Sequence, residues 1–442
     1  MRKIFFALAC CCSIGAWADS WTLRDCIQHA LQNNISIRKN LVSEQSGEAS
    51  LSQSKSQLWP SLSFSTTHGV TYRPGQDGTT LRPSEDEMVS TKMTSLSSNY
   101  NINMNWTVWN GGVNHKKVEA QKVTNEINEL TTETSQLTIQ EKIVQLYVQI
   151  MYTREAVRVN QTLAETAEQQ YLRGEELFNQ GQLARADVVQ LEAQLASARY
   201  DVVNSQTQVD DYKRQLKNLL QLDMSTDFDI AGDIPEDSLV LQIIPDAREV
   251  YEKALLQRPE IRSAEKSIES ADLQYNIAKR GYYPTIGLNG SIQATHNTNS
   301  DQNVGTQIKN NLNMSASVSL SIPIWDQRST STNKQKALLQ KTTAQLELEE
   351  QKNTLSSTIE QFWLNATSGQ QRFISAEAKC RSQQTSYELV NEQFQNGLKN
   401  VVDVLQSRDN ILSAEQDKLQ SKYTTLLNIQ LLRFYQGEEL SL

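Results

Sequence analysis

The chain has 442 residues, with only 17 glycines, 8 prolines and 7% aromatic residues, a composition that disfavours a loop-rich sandwich, a collagen-like chain or a disordered one and favours long uninterrupted helices. A hydrophobic fraction of 38% and a mean hydropathy of -0.53 leave no run of about 20 apolar residues beyond the N-terminus, so no helix of the mature chain is expected to span a bilayer, while a β-barrel stays allowed. The net charge of -9, without a clustered Lys/Arg surplus, argues against nucleic-acid binding.

Residues 1–18 read as a secretory signal: Arg2 and Lys3, an apolar run from Ile4 to Ala9 that continues through Cys10–Cys12, then Ala16-Trp17-Ala18 before Asp19. A lipid anchor on Cys10–Cys12 is the lesser alternative, since no clean lipobox is present. Cleavage after Ala18 takes the net charge from -9 to -11 and leaves Cys26 and Cys380. These two either pair in an oxidising compartment or are small buried residues.

The mature chain matches itself. Ala30-Leu31, Ile37-Arg38 and Trp59-Pro60 recur 224 residues later as Ala254-Leu255, Ile261-Arg262 and Tyr283-Pro284, and Trp109, Phe178, Gly181 and Asp187-Val188 recur 216 residues later as Trp325, Phe394, Gly397 and Asp403-Val404. The drop of eight places an insertion between the first two strand-like segments of the first repeat. Each repeat has two segments of period two. Leu62, Phe64, Thr66, His68, Val70 and Tyr72 oppose a Ser/Thr face; Tyr100, Ile102, Met104, Trp106 and Val108 oppose asparagines; Ile286, Leu288, Ile292 and Ala294 share a third face; and Leu312 to Ile324 alternates throughout. Strands apolar on one face and Ser/Asn-rich on the other suit a transmembrane barrel, or an ordinary sheet on a core. Four strands cannot close a barrel, so the barrel reading requires several chains to share one.

From Val113 to Asn179 the chain has no proline and a single glycine, Gly174; as one helix it would reach about 100 Å. Val123, Ile127, Leu130, Leu137, Val144, Val148 and Met151 keep a heptad register, answered by Val188, Leu195, Val202, Val209 and Leu216. The second repeat has Ser329 to Gln395 without proline, then Leu405, Leu412, Leu419 and Leu426. These are expected to form paired coiled-coil hairpins turning at Gly181 and Gly397.

The turns read Phe178-Asn179-Gln180-Gly181-Gln182-Leu183-Ala184-Arg185-Ala186-Asp187-Val188 and Phe394-Gln395-Asn396-Gly397-Leu398-Lys399-Asn400-Val401-Val402-Asp403-Val404. With Trp21-Thr22-Leu23, Trp59-Pro60, Tyr283-Pro284 and Trp109-Asn110-Gly111-Gly112, the chain resembles the TolC-like outer membrane efflux protein family over nearly its whole mature length. The resemblance implies a mixed α+β membrane protein: a homotrimer with a 12-stranded outer-membrane β-barrel, four strands per chain, continued by a long α-helical coiled-coil tunnel in the periplasm. It further implies a passive exit duct of a tripartite efflux or type I secretion system, partnered by a periplasmic adaptor (membrane fusion) protein and an inner-membrane transporter, with no cofactor. The expected layout is a signal peptide over 1–18, a first repeat over 19–225 (strands about 61–72 and 99–109, helical hairpin 113–220), a linker over 226–245, and a second repeat over 246–442 (strands about 285–295 and 312–324, helical hairpin 329–435).

Two sets of residues are candidates for function. Gly181, Gln182, Leu183, Gly397, Leu398 and Lys399 are expected to dock the adaptor, with Leu183 and Leu398 projecting from an exposed tip; a plain hairpin turn explains the same residues. Asp187, Lys399 and Asp403 are expected to form the periplasmic gate, with Lys399 bridging to Asp187 of a neighbouring hairpin; solvated helix-end charges are the alternative. One family pattern has a carboxylate at the position of Gln406 and an arginine at that of Lys399, and a lysine makes a weaker, less directional contact than the arginine fork. Arg73 to Ser98 is expected to be an extracellular loop. His29, His68, His115 and His296 are far apart with no metal-ligand spacing, so no catalytic or metal centre is expected. The alternative function is a structural coiled-coil envelope protein or an adaptor without a channel, and the cargo (drug, metal ion or polypeptide) stays open.

Overall fold

The computed structural model describes residues 20–74, 78–81, 88–91, 93–232, 234–300 and 302–441; the expected signal peptide, and Gly75, Asp77, Glu85, Asp86 and Glu87 of the expected outer loop, lie outside the described residues. In chain order the elements are β1 (Ser20–Trp21), α1 (Leu23–Asn33), α2 (Ile35–Ser56), β2 (Ser61–Tyr72), β3 (Gly78–Leu81), β4 (Met88–Thr91), β5 (Thr94–Trp109), α3 (Val113–Asn179), α4 (Arg185–Leu220), β6 (Asp229–Ile230), α5 (Ala247–Gln257), α6 (Pro259–Lys279), β7 (Thr285–Asn297), α7 (Val304–Asn310), β8 (Asn313–Ser321), α8 (Ser329–Gln395) and α9 (Val401–Tyr435). They form two compact units.

One unit comprises residues 42–129 and 263–349. Its sheet runs β2-β5-β7-β8, antiparallel throughout. The register carries like residues into rows. Ser63, Asn103, Ser291 and Ser315 stand side by side, as do Ser65, Asn101, Gln293 and Asn313; the alternate rows are Phe64, Ile102, Ile292 and Met314, and then Leu62, Met104, Gly290 and Ala316. Because successive side chains of a strand point to opposite faces, one face is a hydroxyl and carboxamide surface and the other is largely apolar. The apolar face is not covered: Leu62, Phe64, Val70, Met314, Val318 and Leu320 are all exposed.

Three strand ends differ from the period-two reading. β5 begins at Thr94, because Thr94 to Ser98 pairs with β2 although Ser97 and Ser98 break the alternation. β7 runs to Asn297. β8 spans Asn313–Ser321 rather than reaching Ile324, and Pro323, which has no N–H for a ladder, stands just beyond its end. β5 and β7 slip register between Thr107 and Trp109, a bulge at the rim where the chain turns toward α3. A separate hairpin, β3 with β4, occupies part of the expected outer loop.

The other unit comprises residues up to 41, 130–262 and 350–442. α1 opens with a full capping box, Thr22 and Asp25 each accepting from the other's backbone N–H. β1 pairs parallel with β6, and the Tyr147 hydroxyl donates to the Ala231 carbonyl. The core gathers Cys26, Ala30, Ile37, Ile143, Val144, Ile150, Leu216 and Leu220. Described residues of the expected linker over 226–245 are tied to α8 and α9. Asp237 pairs with Lys422 at 2.7 Å and Lys418 at 3.1 Å, and Gln370 Nε2 donates to the carbonyls of Val240 (2.9 Å) and Gln242 (3.1 Å).

Cys26 and Cys380 are both free and buried. Burial pushes the Cys26 thiol up to about 12, and burial together with the hydrogen bond to Glu415 brings Cys380 to about the same value. Neither is a ready nucleophile or disulfide former.

Candidate functional site at the hairpin tips

The long helices α3 and α8 end in the same way. The Gly181 N–H donates to the Phe178 carbonyl (2.8 Å) and the Gln182 N–H to Leu177 (2.9 Å); in the second repeat the Gly397 N–H donates to Phe394 (2.9 Å) and the Leu398 N–H to Gln393 (2.8 Å). This double closure is the Schellman pattern, with the glycine left-handed at φ 72° and 73°. A Cβ at either glycine would meet nothing within 4 Å, so the requirement there is conformational alone.

The return helices start differently. Asn400 accepts from the Asp403 N–H at 2.8 Å, a true N-cap for α9. Ala184 occupies the same place before α4 and offers no side-chain cap. Asp187 and Asp403 both stand in the first turn of their helices, where a carboxylate complements the helix dipole.

Beneath the tips, Leu177 and Leu191 of the first hairpin share a core with Phe394, Val401, Val404 and Ile411 of the second. The two leucines expected at the tip part company. Leu398 is 76% exposed, whereas Leu183 is half-buried and leans on that core. The expectation that both project outward therefore holds only for Leu398; Leu183, two residues past its glycine, has already turned inward. Lys399, in the turn just before α9, lies 3.6 Å from Asp403 in the first turn of that helix. It does not reach Asp187 within one chain, and among the described residues no cation is paired with Asp187.

Deeper along the hairpins lies a polar group that sequence reading missed. Gln170 Nε2 donates to the Tyr387 hydroxyl (2.9 Å) and to Asn391 Oδ1 (3.2 Å). Arg408 is buried, with the amide oxygen of Gln194 on its guanidinium and no partner for its Nε. Burial lowers the Arg408 pKa, partly offset by the field of Asp409. The heptad row is also displaced here: Leu405 and Leu412 are half-buried, and Val404, Arg408 and Ile411 take the inward positions. A helix of 3.6 residues per turn drifts about 20° per heptad, so an exact seven-residue row cannot keep one face throughout.

No cluster of metal-ligating side chains occurs among the described residues, and no helix among them is long and apolar enough to cross a membrane. The arrangement offers a polar-faced sheet and helix tips that carry Asp187, Lys399 and Asp403.

A sequence profile described as outer membrane efflux protein matches residues 26–221 and 250–438. The chain is 16% identical to CusC, whose structures concern folding and transmembrane channel formation, with a TM-score of 0.79 over 94% of this chain and 92% of that one. It is 19% identical to the CmeC outer membrane channel of Campylobacter jejuni, with a TM-score of 0.75 over 95% and 86%. An uncharacterised protein of Haemophilus influenzae is 20% identical over 361 residues, covering 81% of this chain and 77% of that protein.

Proposed function

The chain belongs to the outer membrane efflux protein family, and from that premise we propose that three copies close a 12-stranded barrel and dock an adaptor at the hairpin tips. The protein is a non-enzymatic outer membrane efflux channel of tripartite efflux systems, with its helical tunnel in the periplasm. Channels of the family are trimeric and associate with efflux pump components. The alternatives of a structural coiled-coil envelope protein or a channel-free adaptor fall with that membership.

The observation that supports the homotrimer is the four-stranded sheet itself. β2 and β8 are its edges, and an uncovered edge in a membrane leaves backbone groups that only a neighbouring strand can satisfy. The exposed apolar side chains meet lipid. Tip residues Gly181, Gln182, Leu183, Gly397, Leu398 and Lys399 take the periplasmic adaptor, with Leu398 as its apolar anchor, and an inner-membrane transporter delivers the cargo. Threefold symmetry brings up to six carboxylates, from Asp187 and Asp403, near the periplasmic mouth; Lys399 then chooses between its own Asp403 and the unpaired Asp187 of a neighbouring hairpin, and so biases the closed state.

Mass measurement in mild detergent is expected to give three chains; a stable monomer overturns the shared barrel. Leu398→Asp should abolish transport and leave trimers intact. In planar bilayers, Asp187→Ala and Lys399→Ala should raise single-channel conductance; conductance equal to that of the unmodified protein places the gate elsewhere.

A further inference from the structure

An acidic chain keeps every formal charge off its sheet. Charged residues make up 21% of the sequence, yet none of the 12, 16, 13 and 9 residues of β2, β5, β7 and β8 is Asp, Glu, Lys or Arg. The strands' two titratable imidazoles, His68 and His296, fall by parity on the apolar face, in one row with Ser98, whose hydroxyl lies 2.8 Å from His68 Nδ1. The opposite face is therefore free of both charge and titratable groups along all four strands. The rows through Asn101, Asn103 and Asn105 consist of hydroxyls and carboxamides that run unbroken across the sheet. Lipid cannot be the reason for this neutrality, because lipid meets the other face; in such barrels the lumen side is where charge is tolerated.

We propose that the barrel section of this channel exerts no charge selection and passes polar solutes of either sign as well as neutral ones. The inference rests on the channel reading above. Serine, threonine and asparagine side chains each both donate and accept, so the rows can take the place of water around an anion as readily as around a cation. A ring of like charges in a low-dielectric wall would instead focus a field and hold back one sign. Any preference for cations then arises where carboxylates stand, at Asp187 and Asp403, and the exit leaves the class of cargo to that end and to the transporter.

The test adds a multivalent ion to one side of purified trimers in a planar bilayer. Hexaamminecobalt(III) or a soluble polyphosphate, given from the barrel side, is expected to change the wild-type current by less than about twofold. Asn101→Asp places three carboxylates in one ring and should lower the concentration of hexaamminecobalt(III) needed for half-block by about tenfold or more, and Asn101→Lys should do the same for polyphosphate. Ser291→Asp, in a neighbouring row, provides the same reading if the first site disturbs assembly. Strong wild-type block from the barrel side by either ion overturns the proposal, as does a variant ring that leaves block unchanged. Intact trimers with no conductance at all overturn the channel reading itself, and this inference with it.

Discussion

The two repeats solve one turn in two ways. Between strand and long helix the first repeat uses Gly111 and Gly112, at φ 68° and 76°, and the second uses Gln327 and Arg328, at φ 54° and 65°. The backbone route is the same, so it is the geometry of leaving a strand for a helix, not the residue, that demands left-handed conformations. What differs is the surroundings. A Cβ at Gly111 would come within 2.8 Å of Tyr283 and one at Gly112 within 2.5 Å of Arg280, whose guanidinium donates to the Gly111 carbonyl. Gln327 and Arg328 are exposed, and the second repeat bears a conformational cost of about 1–2 kcal/mol at each. Both turns are steadied by a polar residue at the same position: Asn110 accepts from the Asn114 N–H at 3.2 Å, and Asp326 from Thr330 at 2.7 Å. The same contrast recurs at the tips, where Phe394 is 3% exposed and its counterpart Phe178 is 37% exposed, with Arg185 5.7 Å above its ring.

The sharpest way to break the likeness of the repeats is at those phenylalanines. Phe394→Ala removes a ring from a shared core and should cost about 3–5 kcal/mol, while Phe178→Ala should cost under about 1 kcal/mol. Urea unfolding in detergent measures both, and equal losses would show that the two positions are equivalent in the assembled protein. Next in size are the turns. Gly111→Ala combines a left-handed strain of about 1–2 kcal/mol with the contact to Tyr283, so thermal unfolding should fall; Gln327→Gly and Arg328→Gly should instead raise stability by up to about 1 kcal/mol. Hydrogen bonds from Thr330 hold the Asp326 carboxyl below the ordinary value. Its contribution is therefore present above the ordinary carboxylate range and lost as the pH falls through the depressed pKa, and Asp326→Asn should flatten that acid limb.

How much of this was legible follows from what each pattern records. Period two was readable because one face of each strand is apolar and the other meets water, which forces the residues of 62–72 and 100–108 to alternate. The same signal fades where a single leucine, Leu96, stands among serines and threonines, so Thr94 to Ser98 went unread as strand, and it overran at Ile322 and Ile324, where apolar alternation continues past the last ladder bond. Turn glycines were legible because only φ mattered. Gln327 and Arg328 gave no such signal, nor did Arg408: a lone arginine in a helix reads as surface, and its burial depends on Gln194 and Tyr387 arriving from two other helices. The inward lean of Leu183 was likewise invisible, since it depends on the core that the two hairpins share.

A smaller difference lies at the helix starts. Asn400→Ala should cost about 1 kcal/mol, and Ala184→Asn should return a similar amount to the first repeat. If Ala184→Asn brings no gain in thermal unfolding, the bare start of α4 is satisfied by a neighbour in the trimer.

The smallest expected effect concerns Lys399. Its pair with Asp403 is 3.6 Å long, with both side chains about two-fifths exposed, so solvent and salt screen it and its worth is about 0–1 kcal/mol. The first repeat has Leu183 near this place and leaves Asp187 without a cation among the described residues. A double-mutant cycle of Lys399→Ala and Asp403→Ala on unfolding should give a coupling under about 1 kcal/mol that shrinks further at high salt. The same cycle between Lys399 and Asp187, read by conductance, should give the larger coupling if Lys399 serves the closed trimer. If the Asp403 cycle dominates in both measurements, Lys399 is held within its own hairpin and the carboxylates of Asp187 stand uncompensated at the tunnel mouth.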